Sequence, residues 1–528
     1  MRRRTVLKGA VAATLAPLAA PAIAQPAKAA ALRLIPQSNL TVLDPIWTTA
    51  TVTGNHGYHV FDTLYSADSH LQPQPQMAAG HELSADGRVC RIRLREGLMF
   101  HDNTPVRSID CATSLQRWCK RDALGQLLDA VTEEWATPDD RTLEIHLTRR
   151  FPLLLDALAK PDAAVPFIMP ERLARTDPMK AVTEMVGSGP YRFLPGEFVS
   201  GSLVAYAKFD GYVPRSEPPD WATGAKIAHF PRVEWNVIPD PATASAALQR
   251  GEADWWERPL NDLLPELDRN RQIRTMIQDP SGRLSLMRLN HFQPPFNDVR
   301  IRRAVLAAVK QEDYMRATIG DDRTLWRECR SLYVCGTPYT TEDEGRKLMT
   351  GDLAAARQML QDAGYSGQQV VIISPSDFPV IGPLGDVTAE ALKKIGMNVD
   401  LQVMDWGTVV QRRASKEPVE KGGWSIFHTT GPAVAYSNPA VSTLVRGQGQ
   451  SGWYGWWTNP KVEEMVREWL DASDEATQRR LATAIQNLAL EEVATVPLGQ
   501  FFLKTAYRSS ITGILQGVGV YPWNVRPA

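Results

Sequence analysis

Residues 388–404, TAEALKKIGMNVDLQVM, hold the unit from which the fold is read. Residues 388–395 form the end of a helix that runs into Gly396, after which Met397, Val399, Leu401 and Val403 line one face of a strand. A helix passing through glycine straight into a strand is the repeating step of an α/β layer. The same grammar recurs outward from this point. Val233, Trp235 and Val237 make a strand face that ends at Pro239; Asp240 then caps a helix with Pro241 at its first position and Gly251 at its close. Asp298 caps a helix whose apolar face is Ile301, Val305 and Val309. Asp352 caps another, with Leu353, Ala356 and Leu360 on one side and Gly364 at the stop. One stretch reads differently. Cys90, Ile92 and Leu94 alternate with charged neighbours, as do Leu143, Ile145 and Leu147 with polar ones. Period-2 alternation marks half-exposed antiparallel strands, so residues 61–184 are expected to form a separate α+β unit.

The composition is that of an ordinary globular chain: 528 residues, 44% apolar and 22% charged, with a net charge of −1. Roughly 150 residues per domain implies two to four domains. No basic face or tail suits nucleic acid. The one long apolar run is N-terminal and too short to span a bilayer. There Arg2, Arg3, Arg4 and Lys8 precede an apolar stretch from Gly9 to Ala20 and the small-residue site Ala22-Ile23-Ala24. Residues 1–24 thus read as an export signal, cleaved near Ala24. Arg3-Arg4-Thr5-Val6-Leu7-Lys8 resembles the twin-arginine signal, with Val6 where that pattern prefers Phe; a Sec signal is the alternative. Loss of those four cations takes the net charge from −1 to −5. An exported chain is free to form disulfides. Cys329 and Cys335 flank the short irregular segment 330–334 and are the pair expected to close a loop. Cys111 and Cys119 would lie ~12 Å apart on a helix, too far to bridge. Neither a CxxC motif nor zinc spacing occurs.

Motif order narrows the reading further. Leu43-Asp44-Pro45 and Phe61-Asp62-Thr63-Leu64 come first, followed by Leu94-Arg95-Glu96-Gly97 and Phe100-His101-Asp102-Asn103-Thr104-Pro105. Then come Gly187-Ser188-Gly189-Pro190-Tyr191, Gly251-Glu252-Ala253-Asp254 and Pro295-Phe296-Asn297-Asp298-Val299-Arg300. Leu360-Gln361-Asp362-Ala363-Gly364 and Ile395-Gly396-Met397 close the series. In this order they resemble the family 5 bacterial extracellular solute-binding proteins, the dipeptide/oligopeptide-binding components of ABC importers. The likeness covers essentially the whole mature chain, with Asn103 where the family's hairpin has Gly.

The resemblance implies a two-lobed, type II periplasmic-binding-protein (Venus-flytrap) fold of α/β class, with an additional α+β domain inserted in the first lobe. Lobe I would comprise residues 25–60, 185–288 and 500–528, the insertion 61–184, and lobe II 289–499. It further implies a periplasmic protein that closes on a small, peptide-like or peptide-derived solute and delivers it to permease subunits in the inner membrane, whose ATPase lies on other chains. A monomer without enzymatic activity, cofactor or metal is expected. Ligand-binding candidates come from loops at strand ends: Trp47 after the first strand, Asn290 and His291 after the strand at 284–289, and Asp377. Asp405 and Trp406 match the family's acidic-Trp pair, and Trp424, Phe427, His428 and Thr429 match the floor of the site. For Trp406 core packing, and for His428 a polar loop role, stay open as alternatives.

The departures are chemical. Dipeptide binders of the family hold the ligand amine with an acid in the loop after the floor strand, yet here that loop reads Phe427-His428-Thr429-Thr430-Gly431. The neighbourhood where they place a carboxylate-binding Arg reads Ser374-Pro375-Ser376-Asp377-Phe378. A buried zwitterion lacking both partners is unfavourable by several kcal/mol, so ordinary dipeptides are not expected to bind by the usual clamp. The rival class is a secreted, twin-arginine-exported hydrolase or oxidoreductase. Its only motif, the GxGxxG spelling of residues 447–452, lacks a following helix. His56 and His59, three apart, are weighed as metal ligands and read as ordinary polar histidines.

Overall fold

The computed structural model describes residues 31–528 apart from positions 163 and 473; the expected export signal, residues 1–24, lies outside the described residues. Two mixed sheets organise the chain. The first has seven strands in the order Tyr191–Phe193, Leu203–Lys208, Arg232–Asn236, Ala31–Ile35, Trp255–Trp256, Lys504–Arg508 and Ile273–Ile277. Its centre is Ala31–Ile35, parallel to both neighbours, with Leu32 and Leu34 sealed in the core. The second has six strands, in the order Trp326–Arg327, Val496–Phe501, Arg283–Leu289, Ile426–Pro432, Gln369–Pro375 and Asn398–Met404.

The stretch quoted first supplies the parallel edge of this second sheet. The helix Gly382–Ile395 crosses from Gln369–Pro375 to Asn398–Met404, and Gly396 at φ 100° takes the left-handed turn that stops it. Leu384, Leu392 and Ile395 face the sheet, burying one side of the helix against Val370 and Ile372. The chain crosses between the sheets at residues 278–282 and again at 502–503. Arg283–Leu289 therefore belongs to the second sheet, whereas the sequence reading ended the first lobe at residue 288. The reason is non-local: its partners, residues 426–432 and 496–501, lie far away in sequence.

Residues 61–184 contain the four-stranded antiparallel sheet Ala78–Leu83, Val89–Leu94, Thr142–Leu147 and Thr132–Asp139. Cys90, Ile92 and Leu94 pack with Leu143, Ile145 and Leu147 on one face, beneath the helix Ser108–Cys119. Buried ion pairs tie this unit to the first lobe. Arg117 Nη2 donates to Asp44 Oδ2 at 2.7 Å, and Asp44 also accepts from the Ile46 and Val182 amides at 2.9 and 2.8 Å. Lys226 Nζ meets Asp62 Oδ1 at 2.7 Å. These contacts explain why Leu43-Asp44-Pro45 and Phe61-Asp62 carry acids inside apolar surroundings. Asn103 sits at φ 64°, a left-handed position that Asn tolerates better than most residues. Cys329 and Cys335 are disulfide-linked with Cα atoms 5.9 Å apart; Cys90, Cys111 and Cys119 are free and buried. No helix among the described residues is long and apolar enough to cross a membrane.

Candidate functional site

Strands of both sheets end at a cleft, and the first lobe presents the start of the helix Thr51–Val60 to it. The N-cap is Ala50, which has no side-chain oxygen to offer, and the first turn carries no acid. Helix N-termini leave backbone N–H groups unsatisfied and carry a partial positive charge. Here the Ala50 carbonyl accepts from the Thr53 and Gly54 amides, both at 3.0 Å, but no side chain of the helix offsets the charge.

Two cations from the other side of the cleft meet this helix end. Arg283 opens its strand, is 4% exposed, and donates from Nη2 to Thr51 Oγ1 at 3.3 Å. Arg413 follows the helix Trp406–Arg412, is 2% exposed, and donates from Nη2 to Thr49 Oγ1 at 3.4 Å. The Nε of each has no partner. The charge of Arg283 also acts on the buried carboxyls of Glu257 and Asp279, lowering the pKa of each against the raising effect of burial. The Arg413 guanidinium is framed by the rings of Tyr454 at 4.9 Å and of Trp406 and Phe427 at 5.7 Å. Burial lowers its affinity for a proton below the ordinary guanidinium value, so the cation is held in an unfavourable medium. Arg283, Arg413, Thr49, Thr51 and Trp406 line a central chamber of about 40 Å³, together with Phe378, Thr429, Tyr436 and Asp162 of the inserted unit.

A second chamber of about 220 Å³ adjoins it, sharing Gln37 and Phe378. Its walls are mainly apolar, including Ile238, Trp256, Pro259, Leu260 and Val380. Three polar atoms there are unpartnered: Gln37 Oε1, Ser38 Oγ and Arg258 Nη1. Arg258 lies 3.7 Å from Glu257, and burial followed by the charge of Arg283 brings its pKa down to about 9. A third chamber of about 360 Å³ lies toward the inserted unit, between Trp47, Arg121 and the aromatic run Trp453, Tyr454 and Trp456.

The sequence candidates distribute unevenly around these spaces. Trp406 and Thr429 line the central chamber and Asp377 the second one. Asp377 Oδ1 accepts from the Trp406 amide at 2.7 Å, and burial raises its carboxyl pKa. Trp406 is stacked on Phe378, with ring centroids 5.3 Å apart, so it serves the core and the cleft together. Phe427 reaches the cleft only through its face beside Arg413. Trp47 belongs to the third chamber, where its Nε1 donates to the Met179 carbonyl at 3.2 Å. Asn290 and Trp424 stand behind the wall: Asn290 Nδ2 donates to the Trp424 carbonyl at 2.9 Å, and the Trp424 ring packs on Phe427. His291 lines none of the three chambers, its amide donating to the Gly455 carbonyl at 2.9 Å. His428 points the other way. Side chains alternate across a strand, so with Phe427 and Thr429 toward the cleft, His428 faces the helix layer, with Nε2 2.7 Å from Thr388 Oγ1. His56 and His59 are likewise sealed inside, against Tyr206 and the Asn55 carbonyl.

Sequence reasoning missed Arg283 and Arg413, the chamber's two cations. A signal was present for Arg413: it lies four residues after Val409, on the buried face of its helix. The GxGxxG spelling holds a single short turn, Gly449–Ser451, with no strand before it and no helix after it of the kind a dinucleotide needs.

Comparison with known proteins places this geometry. The family profile described as "Bacterial extracellular solute-binding proteins, family 5 Middle" matches residues 72–452. The probable peptide ABC transporter periplasmic-binding protein y4tO of Sinorhizobium fredii is 36% identical over 494 residues, covering 93% of this chain and 92% of that one. Among solved structures, AgaA of A. tumefaciens R10 in complex with agropinic acid superposes with a TM-score of 0.78 at 18% identity, over 94% of this chain and 99% of AgaA. The dipeptide binding protein of Pseudoalteromonas sp. SM9913 in complex with Met-Leu gives 0.78 at 18% identity, over 94% of this chain and all of that one.

Proposed function

Because the chain belongs to the family 5 bacterial extracellular solute-binding proteins, we propose that it is a periplasmic receptor that closes on one small peptide-derived solute and presents it to the permease of an ABC importer. The carrying observation is the central chamber, whose walls come from both lobes and from the inserted unit and which holds two buried guanidiniums, each with an unpartnered Nε. A group of that kind makes sense where a ligand completes the structure. Closure then follows from differential affinity: a solute that touches both lobes only in the closed state shifts the population toward it. The two crossings at 278–282 and 502–503 are the hinge in this reading. The inserted unit, 61–184, is the platform that contributes Asp162. Relatives in the family are binding proteins, and the receptor works as an exported monomer without catalysis, its permease and ATPase on separate chains.

The ligands in the two similar structures, a dipeptide and agropinic acid, frame the choice of solute. Plain dipeptides fit less well, since loop 427–431 has no acid to receive their amine. The test combines small-angle scattering with thermal melting in the presence of Met-Leu, Ala-Ala and agropinic acid. A bound solute at a hundred times its Kd adds ~2.7 kcal/mol to stability, which melting readily detects. The expected result is a contracted scattering profile and a raised melting temperature with at least one peptide-derived compound. Micromolar binding of Ala-Ala would overturn the expectation that ordinary dipeptides are poorly held, and turnover of any bound compound would overturn the receptor.

A further inference from the structure

We propose that Arg446 and the glycine-rich loop 447–452 form, with the helix Ala123–Asp129, a latch that holds the second lobe against the inserted unit and favours the closed state with or without a solute. The inference rests on the reading that two lobes close on a solute, and it adds a regulation to it. Affinity is set in part by contacts between protein groups alone.

The inserted unit goes with the first lobe, to which the Arg117–Asp44 and Lys226–Asp62 pairs tie it. Contacts from it to the second lobe therefore form on closing and break on opening. Two of them meet one short helix, Ala123–Asp129, which Asp122 caps through the Leu124 and Gly125 amides at 2.9 and 3.0 Å. Arg446 Nη1 donates to the Ala123 carbonyl at 3.2 Å, and Gln448 Nε2 donates to Gln126 Oε1 at 2.6 Å. Both donors are oriented from their own side. Glu463 holds Arg446 through Nε and Nη2 at 2.9 and 2.7 Å and also accepts from the Gly447 amide at 2.8 Å. Arg446 Nη1, which also reaches the Ala440 carbonyl at 3.3 Å, is left to cross the gap. The loop is clamped onto residues 457–459: the Gly449 amide donates to the Trp457 carbonyl at 2.8 Å and the Asn459 amide to the Gly447 carbonyl at 2.9 Å. Glycine is needed for this, since Gly449 sits at φ 58° and a Cβ on Gly447 would lie 2.6 Å from the Asn459 carbonyl oxygen. The GxGxxG spelling thus has a use other than cradling phosphate: it packs the loop tightly enough to present Arg446 and Gln448 to the inserted unit.

A contact made only in the closed state shifts the equilibrium toward that state by its own free energy, whatever the solute. An ordinary hydrogen bond changes such an equilibrium about fivefold. The Arg446 bond is buried, where water competes least. A third contact, the ion pair of Arg149 with Asp471, joins two exposed side chains at the rim and adds little, because such pairs are weak and screened. Gln126 and Gln448 also line the third chamber of about 360 Å³, so the latch is a side wall of that chamber and opens it on parting.

The test compares the wild type with Gln126→Ala, Gln448→Ala, their double variant and Arg446→Lys, which keeps a cation beside Glu463 but lacks the arm that reaches Ala123. Circular dichroism confirms that each variant folds. Small-angle scattering is recorded without solute and with Met-Leu or agropinic acid, and calorimetry gives the affinities. Without solute, each variant is expected to shift the profile toward the open form, its closed-to-open ratio falling about fivefold. The double glutamine variant should be no more open than either single one, because the two side chains make one bond. Arg149→Gln should leave the profile unchanged. Affinity for the solutes that bind should fall by one common factor. Solute-free profiles that are the same in the wild type and every latch variant overturn the latch. So does an affinity loss that differs between the two solutes, which would make Gln448 a ligand contact instead. If solutes contract the wild type and all variants alike, the latch fails and the receptor stands. If no solute contracts the profile while the variants still open it, the receptor reading fails and the latch stands.

Discussion

Arg117 and Arg413 are the same side chain at the same depth, and the chain treats them in opposite ways. Arg117, on the inserted unit, meets Asp44 at 2.7 Å and donates to the Thr176 and Lys180 carbonyls besides. Arg413, in the cleft, has one long bond to a threonine hydroxyl and three aromatic faces. The first is completed by the protein and serves as a fastener between two folding units. The second is left incomplete where two lobes meet. Burial of a charge alone therefore says little about its role; whether the chain supplies the counter-charge is what separates a structural ion from a binding one.

The largest expected effect tests the fastener. Removing one partner of a buried ion pair strands the other, which typically costs about 3–5 kcal/mol. Arg117→Gln leaves Asp44 in a fully buried site with only backbone amides to hold it. Chemical denaturation should show a loss of that order, with or without a bound solute. A loss below about 1 kcal/mol would mean that the Asp44–Arg117 pair is not what joins the inserted unit to the first lobe.

A smaller effect separates both arginines from a third kind of buried group, one kept neutral. His428 has its pKa pushed down to about 3 by burial. In the unfolded chain it protonates near 6.5, so unfolding takes up a proton that the native state refuses. Its contribution is intact above pH 6.5 and declines as the pH falls from there toward about 3, at up to ~1.4 kcal/mol per pH unit. His428→Gln, which keeps an amide near Thr388 Oγ1, should flatten the acid limb of a stability–pH curve by up to that slope. An unchanged limb would show that His428 is solvated and available to the cleft after all.

How much of this was legible beforehand follows from what is local. The helix–glycine–strand unit at 388–404 was readable because its periodicity and its stop sit in adjacent residues, and Gly396 takes the left-handed conformation such a stop requires. The strand at 284–289 was equally readable as a strand. Its sheet was not, because that depends on pairing with residues 426–432 and 496–501. In the site, the aromatic and acidic residues after strands led to the cleft walls at Trp406 and Asp377. The alternation along Phe427, His428 and Thr429 assigns two faces but does not say which one the cleft occupies. Arg283 and Arg413 were passed over because arginine is ordinarily a surface residue. A sequence shows a charge without showing whether water or a ligand surrounds it.

The smallest expected stability change is the sharpest test of the contrast, because it pairs the same substitution with a different surrounding. Arg413→Gln removes a cation held by one long hydroxyl bond and three aromatic faces, so less is stranded when it goes than when Arg117 leaves Asp44. The aromatic frame loses some contact, the desolvation of the charge is relieved, and these terms oppose each other. The ligand-free protein should therefore change by no more than about 1 kcal/mol, with stabilisation as admissible a result as loss. A loss comparable to that of Arg117→Gln, measured by denaturation without any solute, would show that Arg413 is a fastener like the other.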